Sequence, residues 1–218
     1  MRKKKNNFSG MTFIEILIGL TIFSVVAVSL YSTFFSSTSA WKKSEDLNRM
    51  YQEARWSMDT IAKELHNAVI FSYKNSYPNF KVFEGKADSI SFLNEDDYGI
   101  NRVLYFLEAK ENGGGEIFLL KRQESSLIDS LQISVEEKSE EIFSSLVAKD
   151  GLKFSYAHGV VNGEDEEIEW KSDWEESENI PMGVKVELVL QNPGNPNVKT
   201  TFSKTVFIPM GVIGEIKE

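Results

Sequence analysis

The sequence predicts an α+β protein in which one long N-terminal helix packs on an antiparallel β-sheet. Three observations predict it. Residues 16–41 form a run of 26 without a single charge. From Trp41 towards residue 70, apolar residues recur at steps of three and four, the period of an amphipathic helix. Beyond Pro78 the period falls to two, and clusters of turn-forming residues separate the runs.

Composition sets the outer bounds. The 218 residues suffice for one ordinary domain and an anchor. A hydrophobic content of 41% is enough for a real core outside any membrane. Net charge is −9, and it is polarised. Without Arg2, Lys3, Lys4 and Lys5, 20 basic residues face 33 acidic ones, a balance of −13. That excludes a nucleic-acid partner from the leading reading. The absence of cysteine excludes a disulfide framework and thiolate chemistry.

Four basic residues, a short polar stretch and a long apolar run mark an anchored or exported chain, with the basic end held in the cytoplasm. At about 1.5 Å per residue the run reaches roughly 39 Å, enough to span a bilayer. A secretory signal peptide needs a shorter apolar core and a better cleavage site than "SSTSAW" around Ala40. A plain anchor leaves Glu15 unexplained, because an ionisable group at the edge of a lipid-soluble run is costly.

The stretch "SGMTFIEILIGLTIF" resembles the prepilin cleavage and methylation signal of type IV pilins and type II secretion pseudopilins. The resemblance implies a prepilin peptidase that cuts after Gly10, a methylated new N-terminus at Met11, and Glu15 at the fifth mature position. Phe is commoner in that family where this chain has Met11. Met11 and Glu15 are four apart and share a helix face. Glu15 also lies in the first turn, at the positive end of the helix dipole. In a packed filament, as the resemblance implies, the carboxylate meets the amine of a neighbouring subunit. It then acts as a register device, satisfied only at one axial offset. The expected organisation is a cleaved leader over 1–10, a transmembrane helix over 11–36, an amphipathic helix over 37–72 and a β-rich domain over 76–218. The chain crosses the inner membrane once, with the β-rich domain in the periplasm.

The amphipathic stretch places Leu47, Tyr51, Ala54, Met58, Ile61, Leu65 and Ala68 on one stripe, with Lys43, Asp46, Arg49, Glu53, Asp59 and Lys63 on other faces. No Pro precedes Pro78 and no Gly lies between Gly19 and Gly85, so one helix of roughly 60 residues is expected. Strands are expected at 80–84, 89–94, 101–108, 116–122, 152–157, 184–191 and 200–209. "EEIFSSLVAKDG" (140–151) fits either a short helix or a strand.

The C-terminal half, "LKFSYAHG…EIEWKSDWEESENIPMGVKVELVL…TTFSKTVFIP", resembles the J-type minor pseudopilin of type II secretion. That family's pattern is an aromatic strand, a tryptophan, then a Leu-Pro opening a Val-rich strand. The matching positions are Phe154 and Tyr156, Trp170 or Trp174, Ile180-Pro181, and Val184, Val186 and Leu188. Ile180 replaces the usual Leu, and two tryptophans compete for one role. The resemblance implies a pilin-like fold and a pseudopilus tip subunit. Its partners would be I-type and K-type minor pseudopilins, the major pseudopilin and inner-membrane lipid. A minor pilin of a type IV or DNA-uptake pilus shares the first forty residues. A membrane-tethered enzyme or binding module is the third reading.

Catalytic patterns are sparse. His66 and His158 are the two histidines, and no H-E-x-x-H, G-x-S-x-G or phosphate-loop pattern occurs. His66, late in the helix, fits a helix end better than a catalyst. Residues 164–178 hold nine carboxylates and one lysine. Glu164, Asp165, Glu166, Glu167 and Asp173 of this tract suit calcium by ligand type. Carboxylates adjacent in sequence rarely converge, so a solvated loop is the simpler expectation. "NEDDYG" (94–99) opens like an EF-hand loop, but the twelfth position is Tyr105 and not Glu. No cofactor and no catalytic activity are expected.

Overall fold

The computed structural model describes residues 11–70, 80–97, 99–112, 115–131, 139–162, 165–174 and 179–215. The chain divides into two compact units, Met1–Glu45 and Asp46–Glu218. Helix α1 (Phe13–His66) contributes to both.

Within the first unit α1 has no core of its own. Its large apolar side chains are exposed all round, from Met11 at 74% to Phe35 at 64%. Five of its hydroxyls are turned onto the backbone: Thr21 donates to Ile18 O at 2.8 Å, Ser24 to Leu20 O at 2.8 Å, and Ser29 to Val25 O at 2.9 Å. Thr33 and Thr38 repeat this on Ser29 O and Phe34 O. Each hydroxyl is thereby satisfied without water, as an apolar surrounding requires.

In the second unit α1 buries Met50, Ala54, Ser57, Met58, Ile61 and Leu65. The expected stripe is nearly right, with one correction. Met50 is fully buried, whereas Tyr51 is 53% exposed and meets Phe202 edge-on at its margin. The helix expected to residue 72 ends at His66. There Asn67 N donates to the carbonyls of both Lys63 and Glu64, and Val69 N turns away to Leu93 O. Ala68 N still donates to Leu65 O at 3.2 Å, so Val69 N is the first donor that the sheet takes from the helix. Residues 71 and 72 lie outside the described residues.

The sheet is antiparallel apart from its last short strand. It comprises β1 (Phe83–Gly85), β2 (Ile90–Asp96), β3 (Gly99–Asn112), β4 (Gly115–Ser126), β5 (Ser139–Asn162), β6 (Asp165–Lys171), β7 (Gly183–Asn192), β8 (Asn195–Phe207) and β9 (Gly214–Glu215). A short helix, α2 (Leu127–Leu131), follows β4 and was not foreseen. The order is β1-β2-β3-β4-β5-β7-β8, with β6 and β9 both on β5. The ambiguous 140–151 is strand, continuous with 152–157, so two expected elements are one 24-residue strand. β5 is shared: Ser139–Val147 pairs with β4, and Leu152–Tyr156 with β7. Val147 is shared, opposite Phe118 of β4 and Leu190 of β7, and the bulge that follows, where Asp150 takes φ 54°, lies within the β5–β7 pairing. Gly151 beside it is enforced by space, since a Cβ there would lie 2.7 Å from the carbonyls of Ala148 and Val189.

The core joins α1 to the concerted inner face of β2–β8 through Ile90, Phe92, Val103, Tyr105, Phe154, Tyr156, Val186 and Leu188, all essentially inaccessible. The β1–β2 turn closes over β5. Phe154 N donates to Ala87 O at 2.8 Å and the Tyr156 hydroxyl to Lys86 O at 2.9 Å. Gly85 is required here, because a Cβ would fall 2.5 Å from the Tyr156 ring.

One polar node fixes α1 on the sheet. Glu64 accepts from Arg122 Nη2 at 2.7 Å and from the Tyr105 hydroxyl at 2.5 Å. Arg122 Nη1 also reaches Glu124 at 2.6 Å. The Arg122 and Glu64 side chains are only 12% and 13% exposed. Burial pushes the Tyr105 phenol well above its ordinary value, and the Glu64 charge adds to this. Burial likewise raises Tyr156.

Three outcomes follow from this packing. Glu64→Leu leaves the Tyr105 hydroxyl without its acceptor and Arg122 with Glu124 alone, and should destabilise the domain by about 1–3 kcal/mol, read from denaturant midpoints. Glu64→Leu combined with Arg122→Met should recover part of that loss; a double variant as unstable as the sum would show the node is not a coupled pair. Ser57 Oγ is buried without a partner, so Ser57→Ala should be neutral or stabilising by about 1 kcal/mol. The tyrosines give a pH test. Their protonated forms are favoured in the folded state, so their contribution is complete below the ordinary tyrosine value of 10.0 and lost as pH rises above it. Stability should fall above about pH 10, and Tyr156→Phe should make that fall shallower; an unchanged slope contradicts the assignment.

Candidate functional site

The site lies at the start of α1. Thr12 precedes the first helical residue, Phe13, and so is the N-cap; Glu15 is then the third helical residue. Thr12 N donates to Glu15 Oε2 at 2.9 Å, and the Thr12 hydroxyl donates to the same oxygen at 3.0 Å. In return Glu15 N donates to Thr12 Oγ1 at 3.4 Å. This is a reciprocal capping box, T-x-x-E, satisfying backbone donors that a helix start leaves orphaned. Two hydrogen bonds and the positive end of the helix dipole act on one carboxylate.

Thr12 is the functional residue that the sequence reading missed. The T-x-x-E spacing was a sufficient signal for it. In the uncut chain the contacts of Glu15 are to Thr12, while Met11 stands exposed beside it. Gly10 and the leader 1–10 lie outside the described residues, so the cleavage expected after Gly10 has no described geometry.

The acidic tract was expected to be a solvated loop, and part of it is strand. β6 pairs with β5 from Tyr156↔Lys171 to Asn162↔Asp165. Alternation through Ile168 and Trp170 explains this: a period-two apolar pattern lies hidden beneath the charge run. Glu167 is exposed on β6, and Asp173 is exposed just beyond it. Glu164 and the side chains of Asp165 and Glu166 lie outside the described residues. Among the described residues no three or more His, Asp or Glu converge as metal ligands would.

The two tryptophans separate cleanly. Trp174 is 4% exposed, whereas Trp170 is 40% exposed. Trp174 Nε1 donates to Asn179 O at 3.0 Å, and its backbone N donates to Gly85 O at 3.1 Å. Its ring packs near Phe83 and against His158, centroids 6.5 and 5.1 Å apart. His158 Nε2 lies 3.3 Å from Asp173 O, so this buried imidazole is a strut for the same loop. His66 is exposed and its Nδ1 lies 3.3 Å from Phe207 O. It is a helix-end residue, as expected.

Comparison with known proteins bears on the N-terminus. Residues 5–31 match the prokaryotic N-terminal methylation motif. The chain therefore carries a prepilin-type signal, the mark of type IV pilin-like and pseudopilin proteins. The motif implies processing by a prepilin peptidase and pilus-type assembly with other pilins, and it points to a structural subunit in place of an enzyme. None of the curated proteins compared with this chain matches it significantly. Among the described residues α1 is the one helix long and apolar enough to cross a membrane, consistent with a single-pass anchor. A long apolar helix packed on an antiparallel β-sheet domain agrees with a pilin-like fold.

Thr12→Val removes both hydroxyl bonds of the capping box and should cost about 1 kcal/mol of local helix stability. Amide exchange at Glu15, measured in micelles, should accelerate about fivefold, since 1.4 kcal/mol is tenfold. Unchanged exchange there would mean that the box does not hold the helix start.

Proposed function

We propose that the chain is a J-type minor pseudopilin, placed near the tip of a type II secretion pseudopilus and supporting protein export across the outer membrane. The observation that carries the J-type part is the Trp174 loop. One buried tryptophan, bonded to Asn179 O, leads into Ile180 and Pro181 and then the Val-rich strand β7. Phe154 and Tyr156 of the aromatic strand are buried, and Phe83 lies edge-on to both Tyr156 and Trp174. This arrangement supports the aromatic–Trp–Leu-Pro–Val order of that family, with Ile180 in place of the usual Leu, and burial favours Trp174 over Trp170 for the shared role.

On this reading the leader 1–10 is cut after Gly10, and the amine of Met11 is methylated. Residues 11–36 anchor the chain once in the inner membrane. The domain from 76 onward lies in the periplasm with the second part of α1. Glu15 holds its capping contacts before assembly and meets the Met11 amine of a neighbour afterwards. An unpaired carboxylate in lipid costs about 2.5–3.5 kcal/mol at mid-depth, so the neighbour's axial offset is selected by charge. Affinity for I-type, K-type and major pseudopilins comes from apolar surface, with the acidic domain setting selectivity.

Processing is read by N-terminal sequencing and intact mass of membrane-extracted protein. The expected chain begins at methylated Met11; one retaining Arg2–Lys5, or beginning at Trp41, contradicts the reading. Replacing Gly10 by a bulky residue should block the cut. Glu15→Leu should leave cleavage and insertion intact and prevent incorporation among other subunits; normal incorporation would remove the register role. Mixing the processed chain with I-type and K-type subunits in detergent should give a heteromeric complex by light scattering. Association instead with pilus subunits would favour a minor pilin of a type IV or DNA-uptake pilus.

A further inference from the structure

Among the described residues Trp41, at 83%, is the most exposed of the large hydrophobic side chains, and two exposed lysines follow it. All three belong to the first unit, where α1 has no core. Elsewhere lysines are drawn onto carboxylates: Lys121 lies between Glu108 and Glu140, Lys185 reaches Glu187, and Lys204 reaches Asp59. Among the described residues no such pair holds Lys42 or Lys43, although Glu45 and Asp46 stand close by in sequence. The rule that keeps basic residues on the cytoplasmic side accounts for Arg2–Lys5. It gives no reason for lysines at the other end of the apolar run.

Position along the helix supplies one. Thirty residues separate Met11 from Trp41, roughly 45 Å of helix at about 1.5 Å each. A bilayer measures roughly 40–45 Å with its headgroups, against about 30 Å for the hydrocarbon alone. With Met11 at one surface, Trp41 falls in the headgroup layer of the other. Successive helical residues point about 100° apart, so Trp41, Lys42 and Lys43 face three directions. A protein partner approaches one side of a helix, whereas a layer that the helix crosses surrounds it. The ring of three fits the layer. An indole suits the boundary between acyl chains and headgroups, having an apolar body and one polar N–H. An ammonium complements a phosphodiester.

We propose that Trp41, Lys42 and Lys43 form a collar that takes the headgroups of anionic phospholipid at the membrane surface remote from Met11, and so fixes the depth of α1. The collar rests on the single-pass anchor and needs no neighbouring subunit. Its consequence reaches Glu15, 26 residues away and roughly 39 Å along the helix. A collar held in one headgroup layer keeps that carboxylate near the other, outside the hydrocarbon. Each lysine near an anionic surface favours it about fivefold.

The chain has no cysteine, so Ser44→Cys carries a single nitroxide label just beyond the collar. The labelled full chain is placed in vesicles of phosphatidylcholine alone and of phosphatidylcholine with phosphatidylglycerol. Collision of the label with a neutral, water-soluble nickel chelate is then measured by electron paramagnetic resonance. Phosphatidylglycerol should lower that collision about two- to fivefold. Lys42→Gln with Lys43→Gln should abolish the difference between the two bilayers. Lys110→Gln with Lys149→Gln, two exposed lysines of the second unit, should leave it unchanged. A label equally accessible in both bilayers, or a difference that survives loss of Lys42 and Lys43, overturns the collar. So does loss of co-purifying subunits from the Lys42→Gln, Lys43→Gln chain with its lipid dependence intact, since the lysines would then serve an acidic protein face. Resistance to alkaline extraction keeps the two readings apart. A chain that stays in the vesicles without lipid dependence overturns the collar alone; a chain washed from them counts against the anchor itself.

Discussion

A single helix must be satisfied by two different surroundings, and most of the structure follows from how its surface changes along its length. Up to Trp41 every large side chain of α1 except Glu15 is apolar and exposed. No protein core is offered to them, and the intervening hydroxyls spend their hydrogen bonds on the helix's own carbonyls. From Met50 onward one narrow stripe is buried completely by the sheet while Arg49, Arg55 and Asp59 remain in water. Lipid rewards a helix that is apolar all round, and a sheet rewards one apolar face. The sequence changes from one pattern to the other without a Gly or Pro to interrupt the backbone.

Charge is handled at both ends of α1 by the same physical rule: a carboxylate is given donors by the residues around it. Glu15 has the Thr12 amide and hydroxyl. Glu64 has Arg122 and Tyr105. The roles differ because the donors differ. Thr12 belongs to the same helix turn, so the Glu15 bonds can be exchanged without unfolding anything beyond it. Arg122 and Tyr105 stand on separate strands, so the Glu64 bonds fix the position of the helix over the sheet. An exchangeable carboxylate suits a subunit that changes neighbours on assembly.

The sequence was legible where one physical signal dominated. The apolar run, the helical stripe and the period-two strands gave the α+β fold, and the methylation signal was readable from Gly10 to Glu15. It was less legible where two signals overlapped. β6 was hidden because nine carboxylates masked the alternation of Ile168 and Trp170. The unity of β5 was hidden because 140–151 fits a short helix as well as a strand, and Asp150-Gly151 forms a bulge that interrupts the alternation within the β5–β7 pairing. Tyr51 and Met50 are adjacent, and periodicity alone cannot say which faces inward. The Thr12–Glu15 box is spelled by the T-x-x-E spacing, but a charge at the edge of an apolar run is the stronger signal and masks it.

The central claim is that the β-rich unit owns a complete core, with α1 from Met50 to Leu65 as its one long helical layer, while the preceding apolar helix contributes nothing to that core. Deleting residues 1–45 and following thermal unfolding by near-ultraviolet circular dichroism tests it most directly. The account predicts a soluble monomer with a single cooperative transition, shifted by no more than a few degrees (about 1 kcal/mol for a domain of this size) from that of the full chain in detergent. An aggregated product, or a broad transition without fixed aromatic signals, would contradict it.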